Sequence, residues 1–493
     1  MRTVIDAQMK FGQTNIADLV LDPKSRDDIP QLLRGLQHIY TDLPRRERVF
    51  KILEELLPER VGVEGKANPN TGRPGMAQWT ILVLGVLRLC LNADYDRLQE
   101  LANQHATIRQ MLGHSDWADE YRYELQTLKD NRRLFTPEIL GRISQEVVNA
   151  GHQALKKSPD EGLNARCDSF VVETNVHFPT DINLLHDAVR KVIAGGADLS
   201  EEHGLSGWRQ SAYHRRQFKK GHRRIQKLKH STAKDEAKRK AQQEDIQQAH
   251  RDYLEQAEGY LARARDTRAQ LANLPTPPQL SLLDGYLKHA ERQIGQIRRR
   301  VLQGESIPHD EKVFSIFQPH TEWISKGKAG VPVELGLRVC VVEDQHRFIL
   351  HHQVMAKTTD DQVAVPITQQ AKERFPCLAA VSFDKGFHSP ANQAELKQHL
   401  EQVVLAKKGR LSAVDKARES DPEFIRLRRQ HSAVESAINA LEAHGLDFCP
   451  DHGIDGFKRY VALAVLARNI QRLGAVLREQ AAKRRRGPYK KAA

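Results

Sequence analysis

A single β-forming segment, residues 165–174, is isolated from every other β-forming part of this chain. Helical patterning follows it for a long stretch. Alternation of apolar and polar residues returns clearly only at 333–341, turns, and comes back through 348–355 as a hairpin. These segments can share one sheet only if the helical residues between them form an insertion.

The order of elements after the insertion narrows the fold class further. The patterning predicts a short strand, then the hairpin, and then helices that alternate with strands. The remaining predicted elements are the strands 313–317, 378–383 and 402–406 and the helices 361–374, 390–400, 422–444 and 457–477. With the insertion removed, this order is similar to that of a ribonuclease-H-like domain.

Three acids stand where such a domain could collect negative charge. Asp168 lies on the first strand, Asp384 follows the strand 378–383, and Glu435 lies on a later helix. Each one alone is typical of a solvated turn or helix residue. Together they suit phosphodiester chemistry, because two divalent cations about 3.5–4 Å apart can stabilise the attacking and leaving oxygens. Holding hard cations such as Mg²⁺ requires oxygen ligands from converging elements.

Five blocks carry a resemblance to a known family. They cover most of residues 165–475 in order, and they are 167–190 (CDSFVVETNVHFPTDINLLHDAVR), 317–328 (FQPHTEWISKGK), 382–387 (SFDKGF), 429–439 (RQHSAVESAIN) and 467–473 (ARNIQRL). In these blocks the chain resembles the DDE transposases of bacterial insertion sequences, specifically a group with a helical insertion after the first catalytic strand.

The resemblance implies a metal-binding catalytic triad of Asp168, Asp384 and Glu435. One departure concerns the glutamate, because many relatives place a Tyr and an Arg before it and a Lys after it. Here Arg428, His431 and Glu442 occupy those places. On the same helical segment, Glu423 and Glu442 are the alternatives to Glu435.

The resemblance also implies cofactors and partners. We expect Mg²⁺ or Mn²⁺, as two ions, and double-stranded DNA in the form of element ends and target. The active assembly would be a homodimer or higher oligomer in a synaptic complex. Metal-dependent cleavage at the terminal inverted repeats would precede attack of the freed 3′-hydroxyl on target DNA.

Positive charge is concentrated in the insertion. The chain carries a formal net charge of +13, and residues 208–240 contain 13 Lys or Arg against two acids. Like charges at four-residue steps destabilise a solvated helix, so a surface that follows DNA phosphates is the favoured interpretation over a solvated helix face. The predicted DNA-contacting residues are Arg215, Arg216, Lys219, Lys220, Arg223, Arg224, Lys227, Lys326 and Lys328.

The predicted fold is therefore an α/β ribonuclease-H-like catalytic core interrupted by an α-helical hairpin insertion and preceded by an all-α N-terminal domain. Short helices at 78–92, 95–104 and 107–112 are typical of a helix-turn-helix or of any small helical bundle. The predicted domains are a helical DNA-binding region (1–157), the core (163–200 and 308–480), the basic helical insertion (201–307) and a basic disordered tail (481–493).

Composition and leader patterns exclude several classes. Five dispersed cysteines without a CxxC pair argue against a zinc ribbon or a disulfide scaffold and suit a reducing compartment. The apolar run 79–91 is too short to span a bilayer and contains Arg88, and residues 1–12 lack a signal-peptide pattern. We expect a cytoplasmic, nucleoid-associated protein without a membrane partner. Two alternatives are a catalytically silent DNA-binding protein derived from this fold and a helical scaffold that binds RNA.

Overall fold

The computed structural model divides the chain into two compact units. Unit 1 comprises Met1–Asn175 and Gly336–Ala493, and unit 2 comprises Val176–Leu335. The structure describes residues 2–6, 9, 11–25, 27–57, 68, 75–115, 119–158, 160–230, 235–271, 278–325 and 332–486.

Seven strands occur in the described part of the chain. They are β1 (Leu163–Thr174), β2 (Glu322–Ser325), β3 (Val333–Asp344), β4 (Ile349–Met355), β5 (Leu378–Phe383), β6 (Gln402–Leu405) and β7 (Phe448–Cys449). Within unit 1 the sheet runs in the order β4–β3–β1–β5–β6. β3 is antiparallel to β1 and β4, whereas β5, β6 and the short β7 follow the direction of β1. The sheet is therefore mixed, with β1 at its centre.

The register of β1 decides which side chains meet at the centre of the sheet. Asp168 pairs with Val341 of β3, and the preceding Cys167 pairs with Phe383 at the end of β5. Because β1 and β5 are parallel, the chain leaves β5 at Asp384 beside Asp168. Two acids more than 200 residues apart therefore lie at neighbouring strand positions.

Seventeen α-helices are described. The first eight are α1 (Asp28–Thr41), α2 (Leu43–Leu53), α3 (Gln78–Cys90), α4 (Tyr95–Gln104), α5 (Ala106–Met111), α6 (Leu125–Arg132), α7 (Pro137–Ala154) and α8 (Asp181–Glu202). The others are α9 (Ser211–His230), α10 (Glu236–Gln270), α11 (Pro278–Ile297), α12 (Asp360–Arg374), α13 (Pro390–His399), α14 (Ala413–Glu419), α15 (Pro422–His431), α16 (Ala433–Leu441) and α17 (Gly453–Arg486). Several begin at the expected signals: Thr136, Ser389 and Asp421 cap helices whose first residue is proline.

The long helix α17 organises the core of unit 1. It packs against α1, α3 and α7, and its buried apolar residues join one hydrophobic cluster with the sheet. Asn469, which is fully buried, bonds both the N–H and the carbonyl oxygen of Ile349 on β4 at 2.9 Å. By length and composition α17 could cross a membrane, and 78% of its most apolar window is buried inside the protein.

The helices before β1 differ from the predicted separate N-terminal domain. They belong to the same compact unit as the sheet, because α17 supplies apolar surface that α1, α3 and α7 cover. α1 has no counterpart among the helices predicted above, and all of α3 is buried. A helix buried on every side cannot enter a DNA groove, so α4 and α5 are the remaining candidates in this predicted helix-turn-helix.

Unit 2 contains four packed helices where the sequence analysis placed a helical hairpin. α8 packs against α9, α10 and α11, and the four share one buried cluster. Apolar residues of α8, among them Leu185, Val189 and Val192, contribute to this cluster. The unit accordingly begins at Val176, before the predicted boundary at 201, and it extends past 307 to Leu335.

The strand predicted at 313–317 is wrong, because these residues form no regular element and the strand that precedes β3 is β2. Two further boundaries also differ from the predictions. The helix predicted over 422–444 is divided at Ser432, and a π-helical segment, Glu442–Leu446, follows α16. Ser432 keeps right-handed helical angles (φ −56°, ψ −19°). α17 continues to Arg486, so the first residues of the predicted disordered tail are helical.

Candidate active site

Asp168 is the most enclosed of the three predicted catalytic acids. It is half-buried on β1, and its Oδ1 accepts a 2.8 Å hydrogen bond from the N–H of Ser169. Burial raises the pKa of Asp168 to about 6, and the negative charges of Asp384, Asp360 and Glu435 act in the same direction. The Ser169 hydrogen bond opposes this rise. Burial is therefore the largest cause of the raised pKa of Asp168, and the three neighbouring negative charges add to it.

Asp384 and Glu435 are both exposed and reach this place from different elements. Asp384 follows the last residue of β5, and Glu435 lies in the first turn of α16, which packs against β1. Their charges are felt at Asp168 although the three residues are far apart in the sequence. The structure thus brings the predicted triad to one end of β5 beside β1.

Asp360 is a fourth acid that the sequence analysis missed. It begins α12, and its Oδ1 accepts a 2.6 Å hydrogen bond from the hydroxyl of Ser169. A Cβ added at Gly386 would lie 3.5 Å from the other carboxylate oxygen of Asp360. The signal available in the sequence was the run Thr-Thr-Asp-Asp at 358–361, which predicts a helix start and nothing more specific.

His431 also borders the four acids. Its Nδ1 lies 3.0 Å from the hydroxyl oxygen of Ser382 on β5. Burial lowers the pKa of His431, whereas the charges of Asp384 and Glu435 raise it. The pKa of His431 is lowered overall, whereas the arginine that the resemblance implies at this place would keep its charge.

The alternative glutamates lie in different surroundings. Glu423 begins α15, where its Oε2 accepts a 2.7 Å hydrogen bond from Arg426 Nε. That hydrogen bond holds the pKa of Glu423 below its usual range. Glu442 begins the π-helical segment after α16. Neither is among the charges that act on Asp168, so Glu435 remains the favoured third acid.

The donor set agrees in chemistry with a hard divalent cation, because all four side chains offer carboxylate oxygens. Their accumulated negative charge, visible at Asp168, is also what such a cation would neutralise. In the described part of the chain, however, no group of three His, Cys, Asp or Glu side chains is arranged to hold a metal ion.

The basic residues of α9 form one outer surface of unit 2. Phe218 and Ile225 point into the buried cluster of this unit, and the predicted DNA-contacting cations of the helix are all exposed. Arg224 is engaged by Asp252, with 2.9 Å between Nη1 and Oδ2. We call this face the α9 basic surface, and its members are Arg215, Arg216, Lys219, Lys220, Arg223, Arg224 and Lys227. The predicted contacts Lys326 and Lys328 lie outside the described residues.

Comparison of the chain with protein-family models, curated proteins and solved structures finds no match.

Proposed function

We propose that this chain is a metal-dependent DDE transposase with an interrupted ribonuclease-H-like core. It would bind the terminal inverted repeats of its insertion sequence, cleave DNA there and join the freed 3′-hydroxyl to target DNA. The observation that carries the proposal is the parallel register of β1 and β5, in which Cys167 lies opposite Phe383 and the chain leaves β5 at Asp384 beside Asp168. The charges of Asp384, Asp360 and Glu435, which come from separate elements, add to the effect of burial on the pKa of Asp168. The strand order β4–β3–β1–β5–β6, in which β3 runs antiparallel to β1 and to β4, supports the same fold.

The predicted acids and Ser169 would have separate roles in the site. Asp168, Asp384 and Glu435 would hold Mg²⁺ or Mn²⁺, as two ions. Bound there, the metal supplies Lewis-acid stabilisation of the charge that develops on phosphodiester oxygens. The N–H of Ser169 donates a hydrogen bond that orients the Asp168 carboxylate, and the Ser169 hydroxyl donates one to Asp360. Both contacts position carboxylates before DNA arrives, which is how a protein prepares such a site.

The α9 basic surface would contact the phosphate backbone of duplex DNA. When exposed Lys and Arg side chains neutralise DNA phosphates, the counterions condensed on the DNA are released. This release supplies affinity that does not depend on the DNA sequence. Recognition of the inverted repeats is assigned to the N-terminal helices, and synapsis of two ends to a homodimer or higher oligomer. The place of action would be the cytoplasm, with the protein associated with the nucleoid.

The decisive experiment is metal-dependent nicking of supercoiled DNA that carries the nucleotides flanking the gene. The wild-type chain should nick at the element ends, and Asp168→Asn and Asp384→Asn should reduce nicking to background while end binding persists. Loss of binding together with cleavage would instead indicate damage to the fold. Full end binding without nicking by the wild-type chain would favour the catalytically silent DNA-binding alternative.

A further inference from the structure

A cleft of about 820 Å³ opens in unit 1 between the helices α3, α4 and α6 and the segment 445–460. None of the four acids and none of the α9 basic surface lines it. Its volume lies within the range of ligand pockets, about 300–1,000 Å³. Gly445, which lies within the π-helical segment with a positive φ of 90°, lines the cleft.

Positive charge predominates in the lining. The cations are Arg88, Lys129, Arg132, Arg133 and Arg459, and the acids are Asp94, Asp447 and Asp451. Two of these acids are already engaged. Asp451 receives a bidentate hydrogen bond from Arg132, and Asp94 caps α4 through the N–H of Arg97. Within the described parts of the chain, no carboxylate lies within ion-pair distance of Arg88, Lys129 or Arg133.

Arg88 is the cation that most requires a ligand. It is 5% exposed, and its guanidinium carbon lies 4.6 Å from the ring centre of Tyr95 and 5.4 Å from that of Tyr460. Ring contacts stabilise the charge but leave N–H donors unused. Among the described residues, Nε and Nη1 of Arg88 have no hydrogen-bond partner. A buried cation with open donors is costly unless an anion completes it.

Arg459 points to the same requirement. Its Nε likewise has no partner among the described residues, and the nearest carboxylate oxygen, on Asp451, is 4.0 Å from Nη2. Burial lowers the pKa of Arg459, and the neighbouring Arg132 and Arg133 lower it further. An anion in the cleft would relieve this repulsion.

We propose that this cleft is a phosphate-binding site for a nucleic-acid strand, with Arg88 and Arg459 on the phosphate oxygens. The planar guanidinium donates in a fork that fits phosphate geometry better than a point charge does. Phe448 lines the same cleft and is 39% exposed. An exposed ring beside a phosphate site gives a base a surface on which to stack. The site is separate from the carboxylate chemistry and does not depend on it.

Calorimetric titration of the full chain in metal-free buffer tests this with two small probes, inorganic phosphate and the dinucleotide pTpT. Such short probes engage a cleft but gain little from the α9 basic surface. We expect pTpT to bind at least tenfold more tightly than phosphate. Arg459→Gln should weaken both probes about tenfold or more, and Phe448→Ala should weaken pTpT alone. Arg97→Gln, an exposed arginine of α4 outside the cleft, is the matched control and should change neither.

Each outcome bears on the proposal. Equal binding of the two probes, lost in Arg459→Gln, would retain the phosphate site but assign it to free phosphate and not to a strand. Unchanged binding in both Arg459→Gln and Arg88→Lys would overturn the proposal. Arg88→Lys keeps the buried charge and removes the fork, and circular dichroism checks its fold. Asp168→Asn should leave pTpT binding intact, which separates this test from that of the nuclease chemistry.

Discussion

The hydroxyl of Ser169 donates a 2.6 Å hydrogen bond to Oδ1 of Asp360, and this bond joins the central strand β1 to the first turn of α12. The negative charge of Asp360 is one of the causes that raise the pKa of the neighbouring Asp168. A fourth carboxylate therefore acts on one member of the predicted triad. Asp360 is therefore expected to support cleavage although it belongs to no sequence block of the resemblance.

Replacing Asp360 with Asn should lower the nicking rate about 10–100-fold, the range found when a residue that orients metal ligands is lost. Ser169→Ala should have a smaller effect in the same direction. The exposed neighbour Asp361 offers the matched control, and Asp361→Asn should nick at the wild-type rate. Equal rates for the two aspartate variants would show that Asp360 has no role in the site.

Glu435→Gln should abolish nicking while end binding survives, because the proposed role of this glutamate is to hold metal and not DNA. Its negative charge acts on Asp168, and its helix α16 packs against β1. Glu423→Gln is the control, since Arg426 already engages Glu423. The two variants are to be compared in the same nicking and end-binding assays. A Glu435→Gln protein that still nicks would make Glu423 and Glu442 the next candidates for the third acid.

Removing divalent metal should stop nicking and leave DNA binding nearly unchanged. Activity should return with Mg²⁺ or Mn²⁺ but not with Ca²⁺, whose larger coordination sphere does not demand octahedral geometry. Nicking and DNA binding are to be measured in parallel, first in excess chelator and then after each cation is added back. Undiminished nicking in chelator would end the metal-dependent hypothesis.

The α9 basic surface should control the salt dependence of DNA binding. Changing Arg215, Lys219, Lys220 and Arg223 to Gln should reduce the slope of log K against log salt by about 0.9 for each phosphate that is no longer neutralised, roughly three to four in total. Binding to inverted-repeat and random DNA should weaken alike. An unchanged slope would place the DNA elsewhere, and selective loss of repeat binding would mean that this helix reads sequence.

A pair of single variants sharpens that measurement. Arg223 and Arg224 are adjacent and both exposed, but Arg224 is paired with Asp252 at 2.9 Å. Arg223→Gln should therefore lower the salt slope by more than Arg224→Gln, because an already paired guanidinium releases fewer counterions. A larger effect for Arg224→Gln would show that the ion pair with Asp252 does not keep Arg224 from DNA phosphates.

Acid should destabilise unit 1 partly through His351. Burial lowers the pKa of this histidine from 6.5 to about 4, Arg374 contributes, and Gln370, 2.7 Å away, opposes. The folded-state pKa of His351 is depressed, so between about pH 6.5 and pH 4 the unfolded chain binds a proton that the folded chain does not. The contribution to the free energy of unfolding is therefore complete above about pH 6.5 and is lost as the pH falls to about 4. The loss is at most about 3 kcal/mol. Urea unfolding of His351→Gln between pH 4 and 7 should show a shallower pH dependence than wild type, and parallel curves would contradict this.

Asp168 and Asp384 could be predicted from the sequence because a strand announces itself locally. Runs of β-branched and aromatic residues mark β1 and β5, and these runs place Asp168 on a strand and Asp384 directly after one without knowledge of the fold. The basic character of α9 was also visible, since charge composition is local. Asp360 could not be found this way, because its role depends on a hydrogen bond between residues that are 191 positions apart.

The surroundings of Arg88 also could not be predicted from the sequence. In the sequence it only interrupts an apolar run and argues against a membrane span. In the structure, Tyr95 and Tyr460 enclose it at the wall of a basic cleft. Tyr460 lies on α17, and no local pattern indicates that α17 packs against α3.

The sequence by itself therefore predicted β1, the β3–β4 hairpin, β5, β6 and most of the helices, since these depend on side chains that are close along the chain. It missed α1 and placed a strand at 313–317, where the structure has none. The tertiary structure alone decided that the N-terminal helices and α17 share one core and that α8 joins the insertion. It also decided that the charge of Asp360 acts on Asp168. The physical reason is that burial and register couple residues by their distance in space, whereas periodicity reports only neighbours along the chain.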